Sequence, residues 1–170
     1  VIEVLYKSSF DGRNSLEKRI QYLNEGISIL ENLDTIKLTI ESYNNLGHLH
    51  WLDGSPEKSI EAINMVLKLA LESDDMYWVG NAYSNLGTSF QLQKQYNRAL
   101  DYKAKALEIY SSRNDSLLIF NGLSELAEIY YHLYRYNDAF NTVQIALPFR
   151  RTNDESYVYV DAYLQSTLAL

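Results

Sequence analysis

The sequence predicts an all-α solenoid built from antiparallel helix pairs, and three observations carry that prediction. The chain repeats itself at an interval of 40 residues: "YNNLGHLHW" from Tyr43 returns as "YSNLGTSFQ" from Tyr83. Within each unit the apolar residues follow helical spacing, as in Val79, Tyr83, Leu86, Gly87 and Phe90 at i, i+4, i+7, i+8 and i+11. A fixed period of this length marks units that bury their apolar faces only by stacking on one another.

The register runs through most of the chain. Leu46, Leu86 and Leu126 superpose, followed by Gly47, Gly87 and Ala127, then by the ring residues His50, Phe90 and Tyr130. Ser59, Ala99 and Ala139 align, as do Val66, Ala106 and Ala146, and Leu67, Leu107 and Leu147. Phe10, Gly26 and Ile27 extend the pattern upstream.

In order, the spacing predicts helices at about 15–32, 36–53, 56–72, 76–93, 96–112, 116–133, 136–148 and 155–170, after an initial helix carrying Val1, Val4 and Leu5. "DGSP" at 53–56 breaks the second pair and puts Pro56 in a first turn, where its missing N–H costs nothing. Asp34, Asp74, Asn114 and Asp154 recur in register and suit helix N-caps. Small residues at 47, 87 and 127, and at 66, 106 and 146, are expected to let neighbouring helices approach closely. Pro148 should end its helix early. The whole of 1–170 reads as one array: a partial repeat at about 1–34, full repeats at 35–74, 75–114 and 115–154, and a partial repeat at 155–170. A start at Val1 and a stop inside a helical pattern lead us to expect a fragment of a larger protein.

Composition excludes several classes of function. With 22 acids against 15 bases the net charge is −7, a poor match to nucleic-acid phosphates. There is no cysteine for thiol chemistry or thiolate metal sites. No apolar run approaches the roughly 18 residues of a membrane span. The chain has no phosphate-binding loop, no G-x-G-x-x-G and no His-Glu-x-x-His. Neither catalysis nor a cofactor is expected.

The motif resembles the tetratricopeptide repeat (TPR) family. Tyr83-x-x-Leu86-Gly87-x-x-Phe90 with Ala99 matches it well; Tyr43-x-x-Leu46-Gly47-x-x-His50 and Leu123-x-x-Leu126-Ala127-x-x-Tyr130 with Ala139 follow the same plan. The period is 40 where that family's usual unit has 34. Leu71, Ser111 and Arg151 stand where it closes with proline. The longer period is similar to that of LGN-type adaptors, kinesin light chains, bacterial TPR sensor kinases and pheromone receptors of the Rap and PlcR kind. The resemblance implies a right-handed superhelix that binds a protein or peptide segment in its concave groove. Its setting would be a scaffold or sensor region of a larger bacterial signalling protein. The competing expectation is a peptide-pheromone switch of the Rap/PlcR type.

Opposite the apolar stripe of each first helix lies a polar arc. The arcs are Glu41, Asn44, Asn45, His48, Trp51 and Leu52; then Asn81, Ser84, Asn85, Thr88, Gln91 and Leu92; then Asn121, Ser124, Glu125, Glu128, Tyr131 and His132. Side-chain amides offer donors and acceptors to an extended backbone, and the resemblance gives that role to Asn45 and Asn85, just before Leu-Gly. None of these 18 positions is Lys or Arg. The resemblance associates Lys and Arg here with binding a chaperone's acidic tail, so a neutral or basic segment is expected instead.

Glu125, Glu128 and His132, at i, i+3 and i+7, are the best metal candidates. Three ligands from one helix rarely converge, so no metal is expected. His50 reads as a buried, hydrogen-bonded core histidine. In the last helix Tyr159, Tyr163 and Leu170 fall on the packing face, leaving Tyr157, Val160, Leu164 and Leu168 as an apolar groove stripe suited to self-association. Val1, Val4 and Leu5 form a similar stripe at the other end.

Overall fold

The computed structural model describes residues 1–33 and 35–149. Eight α-helices follow one another: α1 (Ile2–Phe10), α2 (Leu16–Leu30), α3 (Ile36–Leu52), α4 (Pro56–Glu72), α5 (Met76–Leu92), α6 (Tyr96–Ser112), α7 (Ser116–His132) and α8 (Tyr136–Ala146). A 3-10 turn at Leu147–Phe149 closes the described chain. Every helix packs on its neighbours in sequence, and the first helices of successive pairs, α3 and α5, only brush each other. The result is an all-α solenoid of antiparallel pairs. The helix expected at 155–170, with its Tyr157, Val160, Leu164 and Leu168 stripe, lies outside the described residues.

One turn design joins the helices. Gly54, Lys94 and Tyr134 have φ of 69°, 59° and 60°, and Asp74 and Asn114 have 53° and 52°. The next residue's N–H then reaches back over the turn: Ser55 to the His50 carbonyl, Gln95 to Phe90 and Arg135 to Tyr130, each at 2.9 Å. Asp75 to Ala70 and Asp115 to Tyr110 repeat it at 2.9 and 3.2 Å. A single left-handed residue thus satisfies carbonyls that a helix end leaves unpaired.

This corrects the N-cap assignment of Asp74 and Asn114, which are the left-handed residues themselves. The caps are the next residues. The Asp75 carboxylate accepts from the N–H groups of Tyr77 and Trp78 at 3.1 and 3.3 Å, and Asp115 accepts from Leu118 at 3.1 Å. Asp34 and Asp154 lie outside the described residues. As the sequence predicts, Pro56 occupies the first turn of α4 and α8 ends two residues before Pro148.

The core repeats with the chain. Ile63, Val66, Ala70, Val79, Ala82, Leu86, Phe90 and Ala99 form its centre, and Ala106, Tyr110, Ile119, Phe120, Leu123 and Ala146 form the next layer. Position 47 and its equivalents are small because a second-helix side chain crosses there. A Cβ on Gly47 would meet Ile63 Cδ1 at 2.5 Å, and one on Gly87 would meet Lys103 Cγ at 2.8 Å. In the following unit Ala127 faces the shorter Val143.

Two smaller expectations need correction. His50 is half-buried rather than buried, and its Nδ1 has no hydrogen-bond partner among the described residues. Leu5 sits against Gly26 of α2, 3.9 Å from where a Cβ would stand, so it belongs to the packing face and not to the groove. Val1 and Val4 are exposed.

Candidate functional site

Polar side chains on α1, α3, α5 and α7 meet one another across the groove. Asn45 Nδ2 donates to the Tyr6 hydroxyl at 3.2 Å, Asn85 Nδ2 to Asn44 Oδ1 at 2.8 Å, and Ser84 Oγ to Glu125 Oε2 at 3.3 Å. These bonds join α1 to α3, α3 to α5 and α5 to α7. Period and helical phase put such residues on one arc, but cross-helix pairing appears only in the structure.

Two adjoining hollows follow the ladder. One, of about 320 Å³, is lined by Asn44, Asn45, His48, Trp51, Asn85 and Thr88, with Gly47, Ser59, Ile63 and Ser89 beneath. The other, of about 410 Å³, is lined by Trp51, Thr88, Gln91, Leu92, Lys94, Tyr96, Glu125, Glu128 and His132. Trp51 and Thr88 belong to both, and Trp51 is 37% exposed. Its ring stacks on His48 with centroids 5.9 Å apart.

Four of the expected site residues line neither of these hollows. Asn81 Oδ1 accepts from the Tyr110 hydroxyl at 3.2 Å, and burial pushes that phenol above its usual range. Asn121 is exposed on α7. Tyr131 packs edge-on to Tyr136, with centroids at 5.5 Å. Ser84 is half-buried and committed to its neighbours.

The arcs hold no Lys or Arg, yet the groove does hold a lysine. Lys103, on α6, is 1% exposed and runs its stem beneath Gly87. Its Nζ emerges on the groove side of α5, donating to Ser84 Oγ at 3.0 Å and Thr88 Oγ1 at 2.8 Å. Glu125 Oε2 lies 2.8 Å away. A reading confined to first helices could not find it. The signal was present, because the 40-residue register aligns Lys103 with Ile63 and Val143, both buried. A lysine at a core position is rarely buried without a partner.

Of the three metal candidates only Glu128 and His132 stay paired. Glu125 is held by Lys103, while His132 stacks on Tyr96 at 4.9 Å with its Nε2 3.8 Å from Glu128. Among the described residues no three His, Cys, Asp or Glu side chains are grouped to hold a metal ion.

Residues 38–112 match the tetratricopeptide repeat family. Comparison with curated proteins finds no match. Among solved structures, the apo form of RapI is similar at 17% identity and a TM-score of 0.84, over 99% of this chain and 52% of that one. Aspartyl phosphate phosphatase F from Bacillus subtilis gives 14% and 0.86, over 99% and 44%. BtubC (BKLC) from P. vanneervenii gives 20% and 0.82, over 99% and 70%. This chain thus spans about half the length of RapI.

Proposed function

We propose that the chain, whose residues 38–112 match the tetratricopeptide repeat, is a protein- or peptide-binding module. It serves as the scaffold or sensor region of a larger bacterial signalling or regulatory protein and holds an extended segment in the groove. The observation that carries this reading is the pair of adjoining hollows with Trp51 and Thr88 between them. Along their walls Asn85 spends one N–H on Asn44. That leaves the Asn44 amide N–H groups and the Asn85 carbonyl to meet the alternating C=O and N–H groups of a guest backbone.

The guest segment is neutral or basic. Lys103 is already neutralised by Glu125, and Glu128 lines the second hollow beside it. An acidic tail would meet these carboxylates and only Lys94 at the rim. A second reading, a peptide-responsive switch of the Rap/PlcR type, draws on the likeness in fold to RapI. Segments adjoining this chain decide between them: a kinase core favours the sensor, and a DNA- or regulator-binding helical domain favours the switch.

Peptide display against the purified protein tests the groove. Asn45→Ala with Asn85→Ala should weaken the selected peptides by about tenfold, the loss of one or two hydrogen bonds, with the far-UV helical signal unchanged. Peptides that bind the double variant as tightly as wild type would place the binding surface elsewhere.

A further inference from the structure

Away from the groove, one ring and one cation of the repeat go together. Lys105 Nζ lies over the Tyr83 ring at 5.6 Å from its centroid and over Tyr102 at 5.2 Å, within the reach of a cation–π contact. One unit later both members are missing, with Leu123 and Ile145 in their places. One unit earlier only half of the pair is present. Tyr43 keeps the ring, and Met65 stands where the lysine would be.

At that place the structure is open. A hollow of about 240 Å³ lies between α2, α3 and α4, with Leu30, Tyr43, Met65, Leu69, Glu31 and Glu72 in its wall. It shares no residue with the two groove hollows. The two carboxylates belong to this unit alone, because Leu71 and Ser112 stand in register with them in the next. Glu31 is held beside the ring, where its Oε1 accepts from the Tyr43 hydroxyl at 2.6 Å. Among the described residues neither Glu31 nor Glu72 has an ion pair. Lys37 and Lys68, exposed on α3 and α4, leave both unpaired.

An aromatic ring, an apolar wall and two unpaired carboxylates match the parts of a lysine side chain. Its stem lies along apolar surface while its ammonium meets ring and carboxylates. Lys105 on Tyr83 is the ring half of that arrangement, supplied from within.

We propose that this hollow is a docking site for a lysine side chain on the surface of a partner protein. Charge complementarity selects the occupant. A carboxylate would be repelled by Glu31 and Glu72, and an apolar side chain would leave them unanswered. The site is separate from the groove, so it stands or falls independently of the groove reading.

The experiment is an amide NMR titration of the purified protein with Nα-acetyl-lysine methylamide at constant ionic strength. The norleucine analogue, which has the same stem and no charge, is the control. The lysine probe should give saturable shifts at Thr39, Tyr43 and Leu69 and bind about threefold to tenfold more tightly than the control. Glu31→Gln with Glu72→Gln should bring it down to the level of norleucine. Met65→Lys should fill the hollow from within, as Lys105 does in the next unit, and abolish the probe's shifts. Equal binding of the two probes, no saturable shift, or a lysine preference that survives the double glutamine variant overturns the proposal, as do probe shifts that persist in Met65→Lys. Glu31 and Glu72 are exposed, so the glutamine variant decides the matter should Met65→Lys fail to fold. Spermidine binding more tightly than the lysine probe by about a hundredfold would assign the hollow to a free polyamine and overturn the partner's lysine.

Discussion

Replacing Lys103 by methionine removes a charge from the core and keeps most of the stem that fills it. The position is apolar in the neighbouring units, where Ile63 and Val143 are buried. Ser84 still donates to Glu125, and Thr88 to the Ser84 carbonyl at 3.2 Å, so neither hydroxyl proton is orphaned. Glu125 keeps that bond and the water it already touches. Exchanging buried ion pairs for packed apolar groups is commonly neutral or stabilising by about 1–4 kcal/mol; with only one partner buried, a gain of about 0–2 kcal/mol is expected for Lys103→Met. The converse change, Glu125→Ala, strands the ammonium and should cost near the lower end of the roughly 3–5 kcal/mol seen for broken buried pairs, because water enters from the open groove. At about 2–4 °C per kcal/mol for a chain of this size, the two variants should melt roughly 6–20 °C apart. Urea titration checks this at equal m-values. If Lys103→Met proves as damaging as Glu125→Ala, the asymmetry of burial does not govern the pair and the argument is wrong.

Two further outcomes follow from the backbone and from His50. Tyr134 holds a φ of 60° that Gly54 holds in register at 69°; Tyr134→Gly should be neutral or stabilising by up to about 1 kcal/mol, and Gly54→Ala should cost about 1 kcal/mol, both read by urea midpoint. Burial, aided by the Lys58 charge, holds the His50 imidazole below its ordinary value. Its contribution is therefore intact above the unfolded pKa of about 6.5 and is lost as pH falls through the folded value. His50→Phe, the residue that stands at 90, should flatten the acid side of the stability curve, and identical curves for variant and wild type between about pH 7 and 5 would dismiss this.

Much of the fold was legible because each helix in the array is specified locally. Pro56 set the start of α4, and the residues expected to open α3, α5, α6 and α7 do so. Recurrence alone marked Asp74 and Asn114 as special without saying how. A short polar residue suits both a cap and a left-handed turn, and only backbone angles separate the two. The groove was legible as a set of arcs, since helical phase is a one-dimensional property. Bonds between arcs, such as Asn85 to Asn44, depend on how adjacent helices are rotated, which periodicity does not contain. Lys103 is hidden from the arcs for a different reason. Its register with Ile63 and Val143 announces a charge in the core, but the passage beneath Gly87 that delivers it to the far side of α5 is a matter of packing.

Trp51 stands at the boundary of both hollows, and the chain has only two tryptophans. The other, Trp78, lies in the first turns of α5 against the ring of Tyr77, with centroids 5.6 Å apart, and lines neither hollow. The array therefore carries its own fluorophore at the junction and an internal reference beside it. On the proposed groove reading, a guest entering from either side should dehydrate one indole and leave the other unchanged, so the emission of the unlabelled protein would read out occupancy.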